Sequence, residues 1–239
     1  MTRVKICGCM LVSDVLAARE AGADFVGLMF APESRRRLTV EEGRAIVASL
    51  AGRTPEPPLL ALGADGDTAA SWFRHGADAL DRLLAHRRPL TVGVFENQSL
   101  DEVNTIAAAV GLDLIQLSGD ETWAECLLAN RQVVKAIEVP EGASAADVTE
   151  SIEGGTAIAC LLDSSRGQGV LVDREVAADV AGALPVWLAG GLTPENVSDA
   201  IVQVRPWAVD VSTGVETDGA KDAKKIQAFV QAAKGAPVS

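Results

Sequence analysis

Short apolar runs rich in β-formers alternate along this chain with longer stretches whose apolar positions recur at three- and four-residue steps. The runs predict strands over residues 4–7, 25–30, 91–95, 114–117, 133–138, 157–163, 186–189 and 208–212. Between them, helical period covers stretches such as 13–21, 40–50, 100–110 and 195–204. Several helices are expected to start at a capping residue: Ser13, Thr39, Ser99, and Thr193 with Pro194 in the first turn. Others are expected to stop at Gly22, Gly111 and Gly182. Strands buried on both faces and joined through helices imply a parallel sheet. Eight such units predict one α/β domain over residues 1–239, a closed (β/α)8 TIM barrel, with a doubly wound sheet as the fallback.

One stretch interrupts the rhythm. Residues 52–89 stand where a short connection from helix 2 to strand 3 is expected, and read as an inserted segment. It opens on the extended Thr54-Pro55-Glu56-Pro57-Pro58 and then predicts an amphipathic helix over 68–86, with Trp72, Phe73, Leu80, Leu83 and Leu84 as its apolar residues. In a barrel this connection lies on the N-terminal face, away from the catalytic loops, so it reads as packing or subunit-contact material. Both histidines, His75 and His86, fall inside it and are too far apart to share a helical turn, which argues against a metal pair. Proton transfer is then left to carboxylates, a thiol or a lysine.

Charge narrows the partners. The 239 residues carry 21 Lys and Arg against 33 Asp and Glu, a net charge of −12. Such a field disfavours nucleic acid and membrane surfaces, so a phosphate ligand has to be held by local geometry. With 48% hydrophobic residues, no apolar run of spanning length and no signal-peptide h-region, the chain reads as a soluble cytoplasmic protein. Its cysteines, Cys7, Cys9, Cys126 and Cys160, lack zinc spacing and should be thiols there. Cys126 reads as a small hydrophobe on a helix and Cys160 as one in a strand.

Barrel chemistry sits where strands end. Strand 1 runs out in Lys5-Ile6-Cys7-Gly8 and strand 6 in Leu161-Leu162-Asp163-Ser164. Ala189-Gly190-Gly191-Leu192-Thr193-Pro194 follows strand 7, and Asp210-Val211-Ser212-Thr213-Gly214-Val215 follows strand 8. Glycines let backbone amides approach an anion, and the loops after strands 7 and 8 are the usual phosphate location in this fold. Taken singly, Gly190 and Gly191 could be a tight turn, Cys7 buried filler, Asp163 a helix cap and Arg35 to Arg37 a solvated loop.

Taken in order, these pieces resemble phosphoribosylanthranilate isomerases. Besides the motifs above, the resemblance rests on Ala21-Gly22-Ala23-Asp24, on Phe30-Ala31-Pro32-Glu33-Ser34 with Arg36, and on Val92-Gly93-Val94-Phe95. It continues through Gln116-Leu117, Gly119-Asp120-Glu121, Pro194-Glu195-Asn196-Val197 and the closing Glu216, and covers nearly the whole chain outside the insertion. It implies Cys7 as general base, Asp163 as general acid, and Arg36 as the holder of an anthranilate carboxylate. Gly190, Gly191, Ser212, Thr213 and Gly214 are implied as phosphate contacts. It further implies an Amadori rearrangement of a small phosphorylated amino-sugar, with no cofactor or metal, in a monomer or homodimer. Asp120 and Glu121 are expected to cap the next helix.

Four departures from that pattern cluster near the motifs. Cys9 and Met10 follow Gly8, Ser118 stands where the family usually has histidine, Arg35 and Arg37 flank Arg36, and Ser164-Ser165-Arg166-Gly167-Gln168-Gly169 replaces a Gly-Gly-Thr-Gly loop. Two further readings follow: the same rearrangement on a substituted anthranilate, or a non-catalytic phosphate-binding barrel. Loss of base or acid would mark the second, yet Cys7 and Asp163 are both present. Another phosphosugar epimerase would need carboxylate pairs or ligating histidines at strand ends, and none is found.

Overall fold

The computed structural model describes residues 1–50, 68–163 and 173–237. Eight parallel strands close in chain order: β1 (Arg3–Ile6), β2 (Phe25–Met29), β3 (Leu90–Phe95), β4 (Leu114–Leu117), β5 (Gln132–Glu138), β6 (Ala159–Asp163), β7 (Val186–Leu188) and β8 (Ala208–Val211). Closure is made by β1 on β8, with Arg3 opposite Ala208 and Ile6 opposite Val211. This is the expected (β/α)8 barrel, and the doubly wound sheet is set aside.

The period of two along each strand sorts side chains between two layers. Val4, Ile6, Val26, Leu28, Val209 and Val211 face outward and pack with helix residues such as Val15, Ile46, Val103 and Phe229. Phe25, Leu90, Leu114, Leu161, Trp187 and Ala208 fill the interior. Phe25 and Trp187 meet there with ring centroids 4.5 Å apart.

The helices are α1 (Val12–Ala21), α2 (Val40–Ser49), α3 (Ala69–His86), α4 (Leu100–Val110), α5 (Ala145–Glu150), α6 (Arg174–Ala183), α7 (Val197–Val204) and α8 (Ala223–Gly235). Thr39, Ser99 and Thr68 cap as such residues should, each side chain accepting from the backbone N–H three residues on. Gly22 and Gly111 end α1 and α4 in the left-handed conformation.

Four local expectations fail. Ser13 is not the cap of α1: the Asp14 carboxylate accepts from the Met10 and Leu11 amides instead. Gly182 lies inside α6 rather than past its end. The Thr193-Pro194 turn precedes α7 without starting it, because Asn196 folds back and accepts from the Thr193 amide. No α-helix links β4 to β5. A short 3-10 turn, Ala124–Leu128, carries the buried Cys126, and Glu121 is committed to the Asn97 and Gly119 amides, so neither it nor Asp120 caps a helix there.

Helix α3 crosses the N-terminal mouth of the barrel. Its Ala79, Leu80 and Leu84 join the interior cluster with Phe25, Leu90 and Trp187. The Trp72 indole donates to the Ala157 carbonyl at 2.6 Å, and Asp81 pairs with Arg3 at 2.7 Å. Both histidines therefore sit at the end of the barrel opposite the strand C-termini. The extended stretch expected at 54–58 lies outside the described residues. No helix among the described residues is long and apolar enough to cross a membrane.

Candidate active site

A cavity of about 160 Å³ opens at the C-terminal ends of the strands. The inward-facing parity that fills the barrel with Phe25 and Leu161 lower down delivers Cys7, Asp163, Asp210 and Ser212 to its wall. Arg36 reaches in from the loop after β2, and Gly190, Gly191 and Thr213 close the side formed by β7 and β8. Glu96, Gln116, Ser118 and Glu138 stand on the opposite wall.

Gly190 and Gly191 hold φ of 91° and 58°, a region that residues with a Cβ rarely enter. Their turn thus presents bare backbone to the cavity. Gly214 differs from the expectation. It does not line the cavity; a Cβ there would run into the Leu192 carbonyl, so it lets the loops after β7 and β8 touch.

Beneath Cys7 lies an ion pair that patterning did not single out. Lys5 is fully buried in the barrel interior, its Nζ 2.7 Å from Asp210 Oδ2, and it stands beside the Cys7 side chain on the same inward face. Burial opposes the ammonium charge, but Asp210 and Cys7 together outweigh it and raise the Lys5 pKa, so the charge persists. Burial likewise pushes the Cys7 thiol up, while the Lys5 ammonium pulls it back. Room for this arrangement comes from Gly27 on the neighbouring strand, where a Cβ would stand 2.7 Å from Cys7 Sγ and 3.2 Å from Lys5 Cε. Lys5, Asp210 and Gly27 all carried a readable signal: charges or a glycine at inward positions of otherwise apolar strands.

Arg36 is held from behind. Its Nε donates to Glu216 Oε1 at 2.8 Å and its Nη2 to Oε2 at 3.1 Å. Arg35 reaches the same carboxylate at 2.6 Å and Lys221 at 2.9 Å. Burial works against the Glu216 charge, but hydrogen bonds from Arg36 and Lys221 bring its pKa down to about 2. Lys221 also donates to the Ser212 carbonyl at 2.9 Å, tying this cluster to the loop after β8.

The model of the N-(5'phosphoribosyl)anthranilate (PRA) isomerase family matches residues 63–232. An N-(5'-phosphoribosyl)anthranilate isomerase from Roseiflexus sp. strain RS-1 is 41% identical over 242 residues, covering 99% of each chain. The chain belongs to the PRA isomerase family. It also spans about a third of a longer relative, a multifunctional tryptophan biosynthesis protein of Phycomyces blakesleeanus, at 39% identity over 252 residues, covering 97% of this chain and 32% of that one. A solved phosphoribosyl anthranilate isomerase in complex with reduced 1-(o-carboxyphenylamino)-1-deoxyribulose 5-phosphate superposes with a TM-score of 0.71 at 31% identity, covering 98% of this chain and all of that one.

Within this chain the departures from the family pattern scatter. Cys9 is fully buried and points away from the cavity, its Sγ 3.6 Å from the Ile6 carbonyl. Arg37 is exposed and Arg35 is spent on Glu216 and the Gly219 carbonyl. Among the described departures Ser118 alone meets the cavity, where its hydroxyl accepts from the Gln116 amide at 2.9 Å. The altered stretch 164–169 lies outside the described residues. Among the described residues no group of three or more His, Cys, Asp or Glu is placed to hold a metal ion.

Proposed function

We propose that the cavity performs the Amadori rearrangement of N-(5'-phosphoribosyl)anthranilate in tryptophan biosynthesis, with Cys7 as general base and Asp163 as general acid. Support comes from one observation above all: Cys7, Asp163, Arg36 and the Gly190-Gly191 turn converge on a single cavity at the strand C-termini. Asp163 gives its proton to the furanose ring oxygen as the C1'–O bond breaks, and the nitrogen lone pair forms the C1'=N iminium. The Cys7 thiolate then takes the C2' proton. Electrons of that C–H bond become the C1'=C2' bond, the iminium electrons return to nitrogen, and the resulting enolamine tautomerises to the C2' ketone. The substrate nitrogen is the electron sink, so the atoms and electrons balance without an external oxidant or reductant.

The chain's own residues suit each step. Cys7 acts as base through its thiolate, which burial disfavours and the neighbouring Lys5 ammonium favours. Arg36 takes the ring carboxylate, for which a planar guanidinium is better matched than an ammonium. The phosphate lies against the Gly190-Gly191 backbone, Ser212 and Thr213. Every one of these residues belongs to one chain, compatible with a monomer or a homodimer. Four free cysteines fit a reducing cytoplasm.

The test follows anthranilate fluorescence on the purified protein, with the phosphoribosyl substrate generated in situ. Rapid loss of substrate emission that disappears in Cys7→Ser supports the assignment. Binding of a phosphate ligand without turnover would turn the reading toward a substituted anthranilate, and ring-substituted substrates would be assayed next.

A further inference from the structure

We infer that Glu216 is a positioning residue that fixes which edge of the Arg36 guanidinium the substrate carboxylate meets; this rests on the reading above that Arg36 holds that carboxylate. A guanidinium offers a carboxylate two paired edges, one formed by Nε with one Nη and the other by the two Nη groups. Glu216 occupies the first, through Nε at 2.8 Å and Nη2 at 3.1 Å. The outer edge, Nη1 with the second N–H of Nη2, is the one left to face a ligand from the cavity that Arg36 lines.

Two features make this more than a surface ion pair. Both side chains are largely withdrawn from water, at 12% exposure for Arg36 and 7% for Glu216, so the guanidinium plane is held rather than free to turn. The carboxylate is also anchored from two other directions, by Arg35 at 2.6 Å and Lys221 at 2.9 Å. Arg36 therefore cannot draw Glu216 along with it. With three cations on one anion, the cluster keeps surplus positive charge at the cavity rim of a chain whose net charge is −12.

Electrostatics and positioning predict opposite signs here. Glu216→Gln removes a negative charge beside Arg36, so simple Coulomb attraction would tighten carboxylate binding. If Glu216 positions Arg36, the same change weakens it, because the amide nitrogen of Gln repels the Nη2 donor and the fork turns.

Two ligands separate the cases: reduced 1-(o-carboxyphenylamino)-1-deoxyribulose 5-phosphate and its counterpart lacking the ring carboxylate, each titrated by calorimetry. In Glu216→Gln the first is expected to lose about tenfold in affinity and the second less than twofold, since Lys221 still holds the Ser212 carbonyl directly. Glu216→Asp keeps the charge that the three cations need but is one methylene short of spanning the fork, and should show the same carboxylate-selective loss. Tighter carboxylate binding in Glu216→Gln, equal loss for both ligands, or wild-type affinity in Glu216→Asp would each overturn the proposal. Turnover by the wild type decides the functional reading separately, because these titrations need no catalysis.

Discussion

Lys5 and Asp210 form an ion pair inside the barrel, Nζ to Oδ2 at 2.7 Å, with Lys5 fully buried and Asp210 8% exposed. A buried pair gains little stability over apolar packing, whereas breaking one leaves a stranded charge, at a cost of about 3–5 kcal/mol. Asp210 Oδ1 already has no hydrogen-bond partner among the described residues, which sharpens that asymmetry. Lys5→Met should therefore unfold at much lower urea than the wild type, and Lys5→Met with Asp210→Asn should recover most of the loss. A double variant no more stable than the single one would refute the pair's account.

Catalysis should depend on Cys7 and Asp163 far more than folding does. Cys7→Ser and Asp163→Asn are each expected to lower turnover by several powers of ten while the urea midpoint stays near that of the wild type. The free-enzyme thiol is raised by burial, so the thiolate fraction grows with pH. Consequently kcat/KM should climb as pH rises from neutrality, with no plateau by pH 8, and the climb should vanish with Cys7.

Glu216 sets a different pH dependence, on stability. Its folded pKa of about 2 lies below the unfolded carboxylate value, so between the two the unfolded state binds more protons. The Glu216 contribution is complete above pH 5 and is lost as pH falls toward 2. The gap in urea midpoint between wild type and Glu216→Gln should shrink steadily from pH 5 to pH 3. A gap that stays constant over that window would mean the carboxylate does not titrate as its three cationic neighbours require.

Helix α3 offers the complementary case, stability without chemistry. Leu80 is fully buried against the floor of the barrel interior. Leu80→Ala removes that packing at a cost of about 2–5 kcal/mol, judged by core truncations elsewhere. Since the cavity lies at the other end of the strands, kcat/KM at moderate temperature should stay within twofold of wild type while the Tm falls.

The barrel was readable because its strands are apolar on both faces and its helices carry ordinary period and caps. Strand β4 and helix α4 fall on their predicted bounds, and the other strands within one or two residues. What escaped was polar. Asp14 outcompeted Ser13 for the start of α1 because its longer carboxylate reaches two amides at once. Glu121 folded the loop after β4 onto Asn97 and Gly119, which local pattern cannot foresee because Asn97 comes from another loop. Lys5 and Asp210 face each other across 205 residues of chain, and only closure of β1 on β8 makes them partners.

Gly27 joins the sequence most directly to the proposed base, Cys7. In a strand interior a glycine forfeits packing and costs conformational entropy, so its presence in β2 asks for a reason. The reason is the neighbouring strand: a methyl at this position would stand 2.7 Å from Cys7 Sγ and 3.2 Å from Lys5 Cε. Contacts that short force the thiol or the lysine to move, and overpacking of this kind costs about 1–3 kcal/mol. A base displaced by as little as an ångström can lose about a hundredfold in rate. Gly27→Ala is therefore expected to fold with a modestly lowered Tm and to lose about a hundredfold or more in kcat, with KM changed far less because Arg36 and the Gly190-Gly191 turn are untouched. Alkylation of Cys7 by iodoacetamide, followed by mass spectrometry, provides the second reading: its rate at a given pH should shift as the thiol leaves the Lys5 ammonium. Wild-type kcat in a folded Gly27→Ala would show that the strand tolerates the methyl and that the thiol's place owes nothing to this glycine.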